Sequence, residues 1–239
     1  MRNKKYFLVV DTETTGAINA PLVYDFGAKI VDLYGRTYEK ISAVIADIFL
    51  NEPERMKSAY YAEKLPQYYE DLKNNKRKLY KFSTVRRIVY NWINKYNIEA
   101  VCAYNLAFDE RALNNTLRFV SEGKYRFFFP KGTQFIDIWS MACSSIFQRK
   151  SYQRMAYDNN WFSEKGNLLT NAEKAYCYLT NQNEFEESHT ALEDVEIETV
   201  IFSYCWKYTE ENDRKVIYFP WRKPQKEWYY FEAHEDGIL

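Results

Sequence analysis

No run of apolar residues approaches the roughly 18 needed to cross a bilayer, and the basic opening Met1 to Lys5 leads into only a short apolar stretch before Asp11. The expectation is a chain with neither membrane anchor nor signal peptide. Cysteine is scarce and dispersed. Cys102, Cys143, Cys177 and Cys205 form no C-x-x-C pair, which argues against a zinc ribbon or redox pair and predicts reduced, mostly buried thiols in a cytoplasmic protein. An excess of charge of either sign is also missing. Lys plus Arg and Asp plus Glu each number 33, so the formal charge is zero; this excludes coating of long duplexes by charge alone and leaves room for a short, local nucleic-acid site.

What the chain does have is an ordinary globular balance, 46% hydrophobic and 28% charged over 239 residues, which excludes disordered, collagen-like and disulfide-scaffold classes. That length suits one large domain or two small ones. Aromatic residues reach 18%, with 22 Tyr and 16 Phe, a surplus that extra packing explains as well as base-stacking surface does.

Tyr6 to Val10 is continuously apolar, as expected of a central strand covered on both faces. Val23 to Asp32 and Thr37 to Ala46 are β-branched and aromatic segments joined by Leu33-Tyr34-Gly35-Arg36, which predicts an antiparallel meander of three strands. The pattern turns helical from Pro53 to Pro66, and Val85, Ile88, Val89, Trp92, Ile93 and Tyr96 mark a strong amphipathic helix from Ser83 onward. Glu99 to Ala103 then reads as a strand, Asn105 to about Val120 as a helix and the surroundings of Phe135 and Ile136 as a further strand. Helices follow at about Ile138 to Phe147, at Asn171 to Leu179 and from near Thr190. This order predicts an α/β layer structure on a mixed five-stranded sheet. Residues 1–208 form the expected domain, with 209–239 an extension packed on it.

Asp11-Thr12-Glu13 sits where the first strand ends, and residues two apart on a strand project to one side, so both carboxylates can face one point. Carboxylates paired at a sheet's carboxyl end suit hard cations, although an isolated Asp-x-Glu is equally an ordinary solvated turn. Asn105 is a natural N-cap, which puts Asp109 about one turn into its helix. His189 precedes Asp194 by five residues, and the two converge only if His189 lies outside the helix. Thr190-Ala191-Leu192-Glu193 has the spacing of a capping box and places it there.

With those segments in view, VVDTETTG (residues 9–16), NLAFD (105–109) and HTALED (189–194) resemble, in order and spacing, the three exonuclease motifs of the DEDDh, or DnaQ-like, 3′-to-5′ exonuclease family. The resemblance spans residues 6–205. It implies a ribonuclease H-like fold in which Asp11, Glu13, Asp109 and Asp194 hold two Mg²⁺ ions, with Mn²⁺ a substitute, and His189 is the general base. It further implies that Asp11 bridges both ions, that Glu13 and Asp194 hold the ion carrying the attacking water, and that Asp109 acts through metal-bound waters. Thr14, Thr15, Ala17, Asn105 and Phe108 fall at substrate-binding positions. Ala17 followed by Ile18 departs from the larger apolar residue that the family often places after the glycine. The expected substrate is a single-stranded or frayed 3′ end, with DNA favoured over RNA. An exoribonuclease, or a non-catalytic end-binding or polymerase-associated subunit, is the alternative, and relatives form homodimers.

Two other segments invite a nucleic-acid reading. Lys73, Lys76, Arg77, Lys78, Lys81, Arg86 and Arg87 form a basic stretch without acidic residues, equally a phosphate track or a solvated surface. Tyr218 to Phe231 mixes aromatic and basic residues; packing across the core is preferred to a base-stacking arm. Asp137 is read as the start of a helix and left off the catalytic set, and His234 is assigned no chemistry.

Overall fold

The computed structural model describes residues 4–16, 19–59, 61–185, 188–226 and 228. Ala17, Ile18, Tyr229, Tyr230, Phe231 and His234 lie outside the described residues. Six strands, β1 (Tyr6–Thr14), β2 (Val23–Asp32), β3 (Thr37–Ile45), β4 (Lys78–Tyr80), β5 (Ala100–Ala103) and β6 (Phe135–Asp137), form one mixed sheet in the order β4-β3-β2-β1-β5-β6. The β1-β2-β3 meander is antiparallel, while β4, β5 and β6 join in parallel. The sheet thus has six strands rather than the five expected. Three residues of a basic stretch, Lys78 to Tyr80, pair beside β3, a segment too short to show alternation of its own.

The helices are α1 (Ala46–Phe49), α2 (Pro53–Lys57), α3 (Leu65–Lys73), α4 (Phe82–Tyr96), α5 (Leu106–Val120), α6 (Ile138–Ser145), α7 (Lys150–Asp158), α8 (Ala172–Thr180) and α9 (Ala191–Cys205). Pro66 does not end a helix as expected but opens one, at the second position of α3, where its missing N–H has no intrahelical partner to lose. The sequence reading also passed over α7.

Period two along β1 divides the core. Leu8 and Val10 face a layer containing Val85 and Val89 of α4 and Leu113 and Leu117 of α5. Phe7 and Val9 face the opposite layer, with Met141 of α6, Ala175 of α8 and Ile201 and Phe202 of α9. The same alternation, continued past Val10, turns Asp11 and Glu13 toward the α9 side and Thr12 toward the α5 side. β1 itself runs four residues beyond Val10, so the acidic pair lies within the strand, with Asp11 opposite Gly27 and Glu13 opposite Asp25 on β2.

The start of α9 presses directly on this end of the sheet. A Cβ on Gly27 would stand 2.3 Å from the Ala191 carbonyl carbon and oxygen and 2.5 Å from the Leu192 nitrogen, so only glycine admits the helix here. None of the helices of the described residues is long and apolar enough to cross a membrane.

Candidate active site

Three segments converge at the carboxyl end of β1. From the α9 side come His189 and Asp194. One ligating atom each of Glu13, His189 and Asp194 lies within 4.8 Å of the others, with Glu13 and Asp194 buried and His189 half-buried. From the α5 side comes Asp109, one turn into its helix and 3% exposed, accepting a hydrogen bond from the Thr12 hydroxyl at 2.8 Å. Asp11, on the α9 side of β1, is close enough to feel the charges of Asp109, Glu198, Glu13 and Asp194. The sequence-predicted acidic residues and His189 are thus brought to one place from strand, helix and loop.

The electrostatics describe a site short of positive charge. Removal from water raises the Asp11 carboxyl well above its ordinary range, and the charges of Asp109, Glu198, Glu13 and Asp194 push it further. Burial also pushes Asp109 up to about 7, against the opposing hydrogen bond from Thr12. Glu198, buried one turn beyond Asp194 on α9, escaped the sequence reading. Only its four-residue spacing from Asp194 could have flagged it.

An all-carboxylate set with one imidazole beside it is a donor set for hard divalent cations, and a cation is the partner that relieves the mutual repulsion. Because the folded-state values are raised, the metal-free native protein binds more protons than the unfolded chain between about pH 4 and pH 7, and its stability falls as pH rises through that window. In EDTA the thermal midpoint is therefore expected to drop between about pH 4 and pH 7. Mg²⁺ at a hundredfold excess over its Kd should restore about 2.7 kcal/mol at the upper pH. A midpoint indifferent to both pH and Mg²⁺ would remove the basis for a cation site.

His189 reaches the cluster by an unusual backbone. Its φ of 52° is left-handed, which lets the chain turn sharply into α9, and its ring lies flat against Tyr61 with centroids 4.0 Å apart and planes 11° from parallel. The predicted capping box is only partly realised. Thr190 is the N-cap of α9, but its hydroxyl donates to Glu193 Oε2 at 2.6 Å rather than accepting from the backbone. The helix start is held instead by Asp25, whose Oδ2 accepts from the Ala191 N–H at 3.1 Å.

Asp25 belongs to a buried network that also corrects the reading of the basic stretch. Tyr68 donates to Asp25 at 2.7 Å, and the Arg77 guanidinium reaches Asp25 at 3.4 Å, Asp71 at 3.1 Å, the Ser42 hydroxyl at 3.0 Å and both oxygens of Glu193 at 3.1 Å. Arg77 is therefore an internal tie between the sheet edge and α9, not a phosphate contact. Arg86 is likewise engaged, with the Phe127 and Phe128 carbonyls and the Tyr90 hydroxyl. Lys73, Lys76, Lys78, Lys81 and Arg87 are the exposed members of the stretch.

At the predicted substrate positions, Thr14 and Thr15 are buried, and Thr15 uses its N–H and hydroxyl to close the turn onto Leu22. A Cβ on Gly16 would fall 1.7 Å from the Ser58 carbonyl oxygen, so the segment after α2 rests on this turn. Asn105 is the N-cap of α5 but caps by conformation (φ 64°) rather than by its side chain, which makes no cap bond. Its N–H donates to Asp137, which also accepts from the Trp139 N–H and the Ser140 hydroxyl. Asp137 is the structural helix start that the sequence suggested. Phe108 is half-buried beneath Arg111, whose guanidinium carbon lies 5.5 Å from the ring centroid. In the aromatic arm Trp228 is buried and Gln225 ties down Leu168, whereas Tyr218 and Phe219 are exposed.

No family model and no curated protein sequence matches the chain. Solved structures do. The chain is similar to E. coli exonuclease I in complex with a dT13 oligonucleotide at a TM-score of 0.52 and 17% identity, covering 84% of this chain and 40% of that one. It matches the zinc-bound form of the E. coli exonuclease I complex with single-stranded DNA at 0.51 and 16%, covering 86% and 43%. The complex with a dA16 oligonucleotide matches at 0.51 and 15%, covering 87% and 44%. The chain therefore spans less than half the length of these proteins. Its sheet order, its flanking layers and these matches together show that the chain shares the mixed α/β fold of these exonuclease I structures.

Proposed function

We propose that the chain is a divalent-cation-dependent 3′-to-5′ exonuclease that releases nucleoside 5′-monophosphates from single-stranded or frayed ends, with DNA the favoured polymer. The observation that carries this reading is the convergence of Glu13, His189 and Asp194 beside Asp11 and Asp109 at one end of β1. The likeness to the exonuclease I fold supports it.

In this reading Asp11, Glu13, Asp109 and Asp194 hold the cations, with Mg²⁺ as the ion and Mn²⁺ as a substitute. Bound there, divalent ions would activate water and would stabilise the charge that develops on the phosphate and the leaving oxygen. Thr12 fixes the Asp109 carboxylate by its hydrogen bond. His189, half-buried and stacked on Tyr61, accepts the proton of the attacking water at a ring nitrogen.

The deciding assay follows mononucleotide release from matched 3′-labelled DNA and RNA oligomers with and without Mg²⁺. Cation-dependent stepwise shortening is expected, and the faster polymer names the sugar preference. His189→Ala should slow the reaction by about 10²- to 10⁴-fold, the usual contribution of a general base, while leaving the Mg²⁺-induced rise in thermal midpoint in place. Should wild type shorten neither polymer with Mg²⁺ or Mn²⁺, the exonuclease reading fails.

A further inference from the structure

A groove of about 480 Å³, within the range of ligand-binding clefts, reaches the N-cap of α5, the helix that carries Asp109. Its first wall is Tyr104. Tyr104 directly follows β5, the strand that pairs in parallel with β1. Asn105, four residues before Asp109, lines the same end. From there the groove passes Trp139, Thr170 and Asn171 and is bounded by Trp221 of the C-terminal arm.

The walls are set in place by bonds that the catalytic cluster does not use. The Tyr104 hydroxyl donates to the Thr170 carbonyl at 2.6 Å and the Trp139 indole N–H to the Thr170 hydroxyl at 3.2 Å, holding the two rings 28° from parallel. Gln225 grips the backbone of Leu168 with both ends of its amide, at 3.0 Å and 2.9 Å, and so fastens the arm that carries Trp221. None of the lining residues is acidic.

Flat aromatic faces with neutral amide and hydroxyl edges are complementary to an unpaired nucleobase. We propose that this groove binds unpaired bases of the strand whose 3′ end lies at the acidic cluster, with Trp221 the outer stacking residue. The proposal rests on the exonuclease reading for the identity of the strand, and on the groove's own geometry for its chemistry.

The test compares wild type, Trp221→Ala and Trp221→Phe in two measurements. One is the affinity for 5′-fluorescein oligothymidylate in EDTA, by anisotropy; the other is turnover of the p-nitrophenyl ester of thymidine 5′-monophosphate with Mg²⁺, too small to span the groove. Trp221→Ala should weaken oligothymidylate binding by about 5- to 100-fold, the range for removing one stacking platform, with no matching loss on the ester, and Trp221→Phe should recover most of it. Asn171→Asp, on an exposed position, serves if the arm does not tolerate alanine: a carboxylate in the groove should weaken binding in the same direction. Unchanged affinity in both variants overturns the groove. If wild type binds the oligomer and turns over neither ester nor oligomer, the exonuclease reading fails while the affinities still decide the groove.

Discussion

Asp11→Asn is expected to abolish cation-dependent shortening of an oligonucleotide, by about 10³-fold or more, and at the same time to make the metal-free protein more stable. The two effects have one origin. Asp11 lies among Asp109, Glu198, Glu13 and Asp194, and its charge is unfavourable in the native protein until a cation compensates it. Replacing the carboxylate by an amide of the same shape removes that repulsion and removes a cation ligand as well. A thousandfold loss corresponds to about 4 kcal/mol of transition-state stabilisation. The pair of measurements is turnover with Mg²⁺ and thermal midpoint in EDTA. A variant that keeps within tenfold of wild-type turnover would take Asp11 out of the mechanism, and one that melts lower in EDTA would contradict the charge argument.

Arg77→Met should cost about 3 to 5 kcal/mol, because it leaves the buried Asp25 and Asp71 carboxylates without the cation that they share. For a chain of this size that corresponds to a fall in thermal midpoint of about 6 to 20 °C. Arg77→Lys should recover only part, since one ammonium cannot reproduce a fork that reaches Asp25, Asp71, Ser42 and Glu193 together. Neighbouring Lys76, exposed and 3.8 Å from Asp71, is the control, with Lys76→Met expected within about 0.5 kcal/mol of wild type. Unfolding in urea reads all three. If Arg77→Met were no less stable than Lys76→Met, the network would hold nothing together.

What the sequence made legible was what short-range patterns carry. The three motif segments could be placed on β1, α5 and the entry to α9 because each is a run of adjacent residues with its own period or cap signal. The meander was readable from two β-branched runs and the turn between them. What stayed hidden depends on partners far along the chain. Arg77 looked like one of seven surface cations because its partners Asp25 and Glu193 lie 52 and 116 residues away. Thr190 looked like a self-sufficient cap because Asp25, which holds the helix start, is 166 residues distant. Pro66 misled for a local reason: proline is as much a helix opener as a helix breaker, and only the tertiary placement of α3 decides which.

Cys102, Cys143, Cys177 and Cys205 all lie in one of the two packed layers, the one that faces α6, α8 and α9, and none belongs to the layer that faces α4 and α5. Burial raises the pKa of each thiol, so each is doubly shielded from a modifying reagent, by lack of access and by lack of thiolate. The native chain consequently carries its thiols on one side only. The rate at which a small thiol reagent consumes those groups clocks the opening of the α6-α8-α9 half of the molecule, and the α4-α5 half can loosen without being counted.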